Sequence, residues 1–271
     1  MNSHPGLEVI GLRKVFATGG RRHDDETVAV NDLSFTIGPG ESLAIVGESG
    51  SGKTTTARIV VGLETPSGGR VVVAGRDRAS HRLSAHERRS RARETQLVFQ
   101  DPYHSLNPRK RVGESIGGVL KLHFNLRRSE QEARVNELLD LVGLDERHAT
   151  RLPRSLSGGQ RQRVAIARAL AAEPGILVLD EAVSALDVSV QAQILNLLID
   201  LRKTIEVSYL FISHDLAVVR YVSDRVIVMQ RGIAVETGPT QQVLASPNHP
   251  YTKALLAAVP RPDWPIGVAT A

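Results

Sequence analysis

The chain has no cysteine among its 271 residues. That excludes disulfides, thiolate metal sites, cysteine nucleophiles and cysteine-ligated iron–sulfur clusters, and it fits a reducing compartment such as the cytosol. No stretch approaches the roughly 18–20 continuous apolar residues of a membrane span. The longest apolar runs, such as 176–179, have the length of core strands. The opening Met1-Asn2-Ser3-His4-Pro5-Gly6 lacks the charged-then-apolar pattern of a signal peptide, so any tie to a membrane is expected to run through a protein partner. No repeat recurs at a fixed period. The nine histidines are scattered without metal-site spacing.

What is present suits a globular chain with a sizeable core, at 41% hydrophobic and 23% charged residues. The net charge is +5, and arginine greatly outnumbers lysine. A basic chain raises the possibility of a nucleic-acid partner. Its densest cluster, Arg88-Arg89-Ser90-Arg91-Ala92-Arg93, has no interleaved aromatics for base stacking. It reads as a solvated helix face, and no nucleic-acid partner is expected.

Two β-branched apolar runs, 7–16 and 28–37, predict opening strands, separated by a polar, glycine-containing loop over 17–27. A short strand at 43–46 and a helix at 53–63 follow, then strands at 70–74 and 96–99. The section from about 107 to 154 is helical in pattern. Ser129 to Glu132 reads as a capping box, ahead of an apolar stripe of Val135, Leu138, Leu139 and Val142 that Gly143 ends. From Gly158 a helix runs to about Ala172, followed by a strand at 176–179. The next helix carries Val190, Ile194, Leu197, Leu198 and Leu201 on one face. Strands at 209–212 and 225–229 follow, with a short helix after Asp215, and 232–236 pairs as a hairpin. Strand–helix alternation implies an α/β fold with a largely parallel sheet covered on both faces. The opening strands form a separate antiparallel layer, and a helical subdomain is inserted at about 107–154.

Two segments carry the chemistry. Gly47-Glu48-Ser49-Gly50-Ser51-Gly52-Lys53-Thr54 matches the phosphate-loop pattern at every fixed position, between a strand and a helix. Its glycines let backbone N–H groups turn toward phosphates at a helix start, extending to Thr55. Lys53 can reach the β- and γ-phosphates, and the Thr54 hydroxyl can ligate Mg²⁺. Downstream, the apolar strand 176–179 delivers Asp180 and Glu181 at its C-terminal end, where ligands bind in open parallel sheets. Asp180 suits the Mg²⁺ shell and Glu181 suits the attacking water.

With these motifs the chain resembles the ATP-binding subunits of ATP-binding cassette (ABC) transporters, over nearly its whole length. Leu156-Ser157-Gly158-Gly159-Gln160 matches their signature. The resemblance implies a P-loop NTPase (RecA-like) core, ATP and Mg²⁺ as cofactors, and two cassettes sandwiching two nucleotides. Ser157, Gly158, Gly159 and Gln160 would then contact the ATP of a partner cassette. It further implies Gln100 as the residue sensing Mg²⁺ and the attacking water, Ser184-Ala185-Leu186-Asp187 as the loop between sites, His214 as the switch histidine on the γ-phosphate, and Phe16 as the aromatic stacking on adenine. Taken alone, Phe16 is read more readily as a core residue.

Three further stretches are similar to the oligopeptide, dipeptide and nickel importer group: the run from Gln100 to Pro108, the run from Glu181 to Gln191, and Pro247-Asn248-His249-Pro250-Tyr251-Thr252-Lys253-Ala254-Leu255-Leu256. The implied organisation is an ATPase domain over 1–240 and a C-terminal extension over 241–271. The implied partners are a second ATPase subunit, identical or different, two transmembrane permease subunits and, indirectly, a solute-binding protein, at the cytoplasmic face of the cell membrane. Ala182 and Ser155 depart from the residues many relatives carry, proline and glutamate. Uptake of nickel or another small solute, and a soluble non-transport ATPase, remain open as alternatives.

Overall fold

A computed structural model describes residues 6–17, 26–78, 83–99 and 105–258. The sequence alternation resolves into two sheets. β1 (Leu7–Ala17), β2 (Glu26–Ile37), β4 (Gly68–Val73) and β5 (Arg76–Asp77) form a four-stranded antiparallel sheet in the order β2-β1-β4-β5. The second sheet has six strands in the order β10-β9-β3-β8-β7-β6, from β3 (Ser42–Val46), β6 (Thr95–Val98), β7 (Ile176–Asp180), β8 (Ser208–Ile212), β9 (Arg225–Gln230) and β10 (Ile233–Pro239). All its pairings are parallel except the β9–β10 hairpin.

Side chains alternate across a strand with period two, and the core splits accordingly. Leu43, Ile45, Ile176, Val178, Leu210, Ile212, Ile227 and Met229 turn one way, toward the antiparallel sheet and helix α1 (Lys53–Val60). Ala44, Val46, Leu177, Leu179, Tyr209, Phe211, Val226 and Val228 turn the other way. There they meet α3 (Val112–His123), α4 (Arg128–Leu141), α5 (Gly158–Leu170), α6 (Val188–Ile205), α7 (Leu216–Val222), α8 (Thr240–Ala245) and α9 (Pro250–Ala257). Each fully buried leucine or isoleucine in such a core contributes about 1.5–3 kcal/mol. A strand buried on both faces is mostly apolar, which is why these strands read as near-continuous apolar runs.

The stripe of Val135, Leu138, Leu139 and Val142 is buried against α3 and α5, as the periodicity requires. The capping assignment is corrected. Helix α4 starts at Arg128, and Glu130, not Glu132, accepts the hydrogen bond from the Arg127 N–H at 2.8 Å. Glu132 instead pairs with Arg128 one turn along, at 3.0 Å. Helix α1 stops at Val60 rather than Leu63, because the chain turns over at Gly62. On α6 the buried positions are Ile194, Leu195, Leu198 and Leu201, while Leu197 lies partly buried beside them.

The arginine cluster lies on α2 (Ala85–Glu94), a helix with no buried residue. Two of its arginines nevertheless hold the fold together. Arg91 donates to the Arg78 carbonyl at 2.8 Å, and Arg93 donates to the Ala172 carbonyl at 3.3 Å. The Arg93 guanidinium also lies 4.5 Å from the Phe124 ring centre.

Candidate functional site

β3, β8 and β7 are adjacent and parallel, with Ile45 and Asp180 both in register with Ile212. Their C-terminal ends therefore open onto one crevice, where ligands bind in such sheets. The loop after β3 carries residues 47–52, the end of β7 carries Asp180 and Glu181, and the segment after β8 carries His214.

Gly52 is the N-cap of α1 with φ of 101°, in the left-handed region that favours glycine, and no side chain caps this end. A Cβ at Gly52 would overlap the Ala29 carbonyl oxygen of β2. The first N–H groups of α1, from Lys53, Thr54 and Thr55, are thus left for an anion. The loop is tightened by a bond from the Ser51 N–H to the Glu48 carbonyl at 3.2 Å. Ser49 and Gly50 sit exposed at its crest. Lys53 is buried and folds back, donating to the Gly47 and Glu48 carbonyls at 2.8 and 2.7 Å. Burial lowers its pKa, with the charges of Glu181 and Asp180 opposing. The Glu48 N–H points elsewhere, donating to the Tyr251 hydroxyl at 3.1 Å.

The Thr54 hydroxyl donates to Asp180 Oδ1 at 3.3 Å, which ties the loop helix to the end of β7. Burial raises the Asp180 carboxyl above its ordinary pKa. The Thr54 bond opposes that shift and the Glu181 charge adds to it. A hydroxyl and a destabilised carboxylate are hard oxygen donors of the kind Mg²⁺ takes, so the residues present fit that ion. Glu181 occupies a left-handed conformation at φ of 49°, unusual for a residue with a side chain. Its N–H is held by the Ile212 carbonyl at 2.9 Å. Its Oε1 lies 3.2 Å from His214 Nδ1. Gln100 lies outside the described residues, as do Asp101, Pro102, Tyr103 and His104.

Phe16 is 39% exposed, with the Lys14 ammonium 4.7 Å from its ring centre. It pairs with Thr27, two residues before the Ala29 that abuts Gly52, so its ring is an open surface near the loop rather than core.

Ser157 caps α5 reciprocally: its hydroxyl accepts from the Gln160 N–H at 3.2 Å, and the Gln160 side-chain oxygen accepts from the Ser157 N–H at 3.0 Å. Gly158 packs 3.5 Å from Leu186, measured from where its Cβ would stand, and a Cβ on Gly159 would overlap Val190. The 157–160 turn is therefore fitted against the loop and helix that follow Glu181. Among the described residues no hydrogen bond joins 157–160 to 47–54. Sequence reasoning did not single out Tyr251 as a neighbour of the phosphate loop. The only signal was that it belongs to the tail stretch beginning at Pro247.

The glycine loop, the acidic strand end and the parallel sheet define a phosphate-loop nucleoside triphosphatase. The comparisons narrow this. The family described as "ABC transporter" matches residues 30–184, and that described as "Oligopeptide/dipeptide transporter, C-terminal region" matches residues 235–270. The chain belongs to the ABC transporter family and carries its ATP-binding ATPase domain. It is 53% identical over 233 residues to a putative peptide import ATP-binding protein of Brucella abortus (strain 2308), covering 86% of this chain and 70% of the relative. It is 50% identical over 235 residues to a glutathione import ATP-binding protein of Escherichia coli (strain K12), covering 87% of this chain and 37% of that longer protein. A dimeric ATP-binding cassette solved in a post-hydrolysis state with ADP and Pi superposes with a TM-score of 0.76 at 30% identity, over 86% of this chain and 98% of the other. A cassette of an ABC transporter complex from Clostridium perfringens gives 0.77 at 28% identity, over 89% and 91%. Among the described residues, no helix is long and apolar enough to cross a membrane.

Proposed function

We propose that this chain is the ATP-hydrolysing subunit of a peptide importer, driving uptake through separate permease subunits from the cytoplasmic face of the membrane. The observation that carries the ATPase half is the convergence of residues 47–54, Asp180, Glu181 and His214, with Thr54 bonded to Asp180 at 3.3 Å. The importer half is supported by the tail match over 235–270 and by relatives described as peptide and glutathione import proteins. We divide the chain into an ATPase domain over 1–240, with its helical insert at about 107–154, and a C-terminal extension over 241–271.

The backbone N–H groups of the loop and of Lys53, Thr54 and Thr55 bind the ATP phosphates, with Lys53 leaving the Gly47 and Glu48 carbonyls for the phosphate oxygens. Phe16 stacks on adenine. Thr54 and Asp180 would hold Mg²⁺, with Gln100, and the ion would supply charge neutralisation on the phosphates. Glu181 orients a water and accepts its proton as the water oxygen bonds to the γ-phosphorus and the bond to the β-phosphate oxygen breaks, giving ADP and phosphate. His214 bonds Glu181 through Nδ1, and on leaving Glu181 its ring N–H can donate to the γ-phosphate.

Ser157, Gly158, Gly159 and Gln160 complete the site of a second cassette, identical or not. This is supported by the absence, among the described residues, of any hydrogen bond from this turn to the chain's own loop, and by the dimeric neighbour. The γ-phosphate then joins two subunits, and its loss lets them part. A solute-binding protein would deliver peptide to the permeases.

Cells lacking the gene test the whole reading. Uptake of a radiolabelled oligopeptide should return with the parent gene and not with Glu181→Gln. Equal uptake without the gene would overturn the peptide assignment, and labelled nickel in the same cells tests the alternative solute.

A further inference from the structure

The tail stretch from Pro247 has a place in the structure that the ATPase mechanism leaves unused. Glu236 on β10 accepts from the N–H groups of Asn248 and His249 at 2.7 and 3.2 Å. His249 then caps α9, its Nδ1 accepting from the Tyr251 N–H at 3.2 Å. Tyr251, Leu255 and Leu256 pack against the core on the helical side of the parallel sheet. So anchored, Tyr251 reaches back across 203 positions of sequence to accept the Glu48 N–H at 3.1 Å.

That bond falls on a peptide unit already engaged from the other side. In that Gly47–Glu48 peptide the Gly47 carbonyl accepts from Lys53 Nζ at 2.8 Å, and the next carbonyl along, that of Glu48, accepts from Lys53 Nζ at 2.7 Å and from the Ser51 N–H at 3.2 Å. When Lys53 turns to a phosphate, the Gly47 carbonyl loses that partner. The Tyr251 hydroxyl still holds the Gly47–Glu48 peptide in orientation at that moment.

We propose that α9 is a positioning element of the nucleotide site, its Tyr251 hydroxyl fixing the Gly47–Glu48 peptide so that the phosphate loop keeps its receiving shape as Lys53 moves. This rests on the reading of residues 47–54 as the nucleotide site. It gives the C-terminal extension a direct hold on nucleotide affinity, so anything docking on the tail would be felt at the loop.

The test compares the full-length parent, Tyr251→Phe, Tyr251→Ala, Glu236→Ala and Lys53→Ala. Affinity is read by equilibrium titration with fluorescent ATP and Mg²⁺, KM and kcat by steady-state ATPase assay, and folding by thermal midpoint. Tyr251→Phe keeps the ring and loses one neutral hydrogen bond. It should weaken ATP binding and raise KM by about three- to tenfold, with kcat and the midpoint near parental. Tyr251→Ala should weaken binding to the same degree while also lowering the midpoint. Glu236→Ala, which frees the α9 start, should reproduce the KM effect, and adding it to Tyr251→Phe should bring no further loss. Parental affinity in Tyr251→Phe, or a fall in kcat at unchanged KM, would overturn the positioning role. If Lys53→Ala loses binding while Tyr251→Phe does not, only the tail's role falls. If Lys53→Ala itself binds like the parent, the nucleotide-site reading falls and this inference with it.

Discussion

His214 Nδ1 lies 3.2 Å from Glu181 Oε1, joining the ends of two neighbouring parallel strands. The same strands are cross-linked one step lower, where the Glu181 N–H donates to Ile212. A left-handed carboxylate residue costs of order 1–3 kcal/mol of backbone strain, and these two bonds determine where its side chain goes. The aim of Glu181 is thus set by β8 as much as by β7.

Removing the imidazole should therefore loosen Glu181 without disturbing the phosphate loop. His214→Ala is expected to lower kcat by about 10²-fold, the scale on which small misplacements act, with ATP affinity changing far less. Steady-state ATPase assays paired with ATP titration check this. A parental kcat would remove His214 from the mechanism.

Asp180 supplies a pH-dependent signature. Burial raises its pKa above the ordinary carboxylate value, so the folded chain keeps the proton to higher pH than the unfolded chain does. Stability is consequently lost as pH rises from the ordinary value through the raised one, and the penalty is complete above the raised value. Asp180→Asn should raise the metal-free thermal midpoint at pH above the raised value, and the gain should shrink toward about pH 4. Added Mg²⁺ with ATP should stabilise the parent more than the variant. A gain independent of pH would contradict the burial argument.

Gly159 faces a valine that has little room to yield, because β-branched side chains in helices hold one rotamer. Gly159→Ala should cost about 1–3 kcal/mol by overpacking against Val190. It should also weaken ATP-dependent pairing of cassettes, since the 157–160 turn moves. Val190→Ala in the same chain should restore stability. Chemical denaturation of the four-member cycle measures the coupling, and strictly additive effects would refute the contact.

Much of this was legible in the sequence because the relevant signals are local. Strands buried on both faces are mostly apolar, so β3, β7 and β8 stand out, and the loop and carboxylates follow them immediately. The parts that escaped depend on distance or on competition. Glu130 and Glu132 both lie within reach of the α4 start, and only the backbone geometry decides that Glu130 takes it. Leu195 and Leu197 flank the same helical face, and the packing around α6 buries Leu195 more deeply. The bond between Tyr251 and Glu48 leaves no trace in any window of the chain, since packing of α9 on β10 creates it.

The most direct test is Glu181→Gln in the full-length chain, with ATP affinity and single-turnover hydrolysis measured on the same preparation. The amide keeps the size and hydrogen-bonding reach of the carboxylate but cannot take a proton. ATP affinity within about twofold of the parent, with hydrolysis reduced at least about 10²-fold, is the predicted result. Parental hydrolysis by the variant would contradict the assignment of Glu181 as the base.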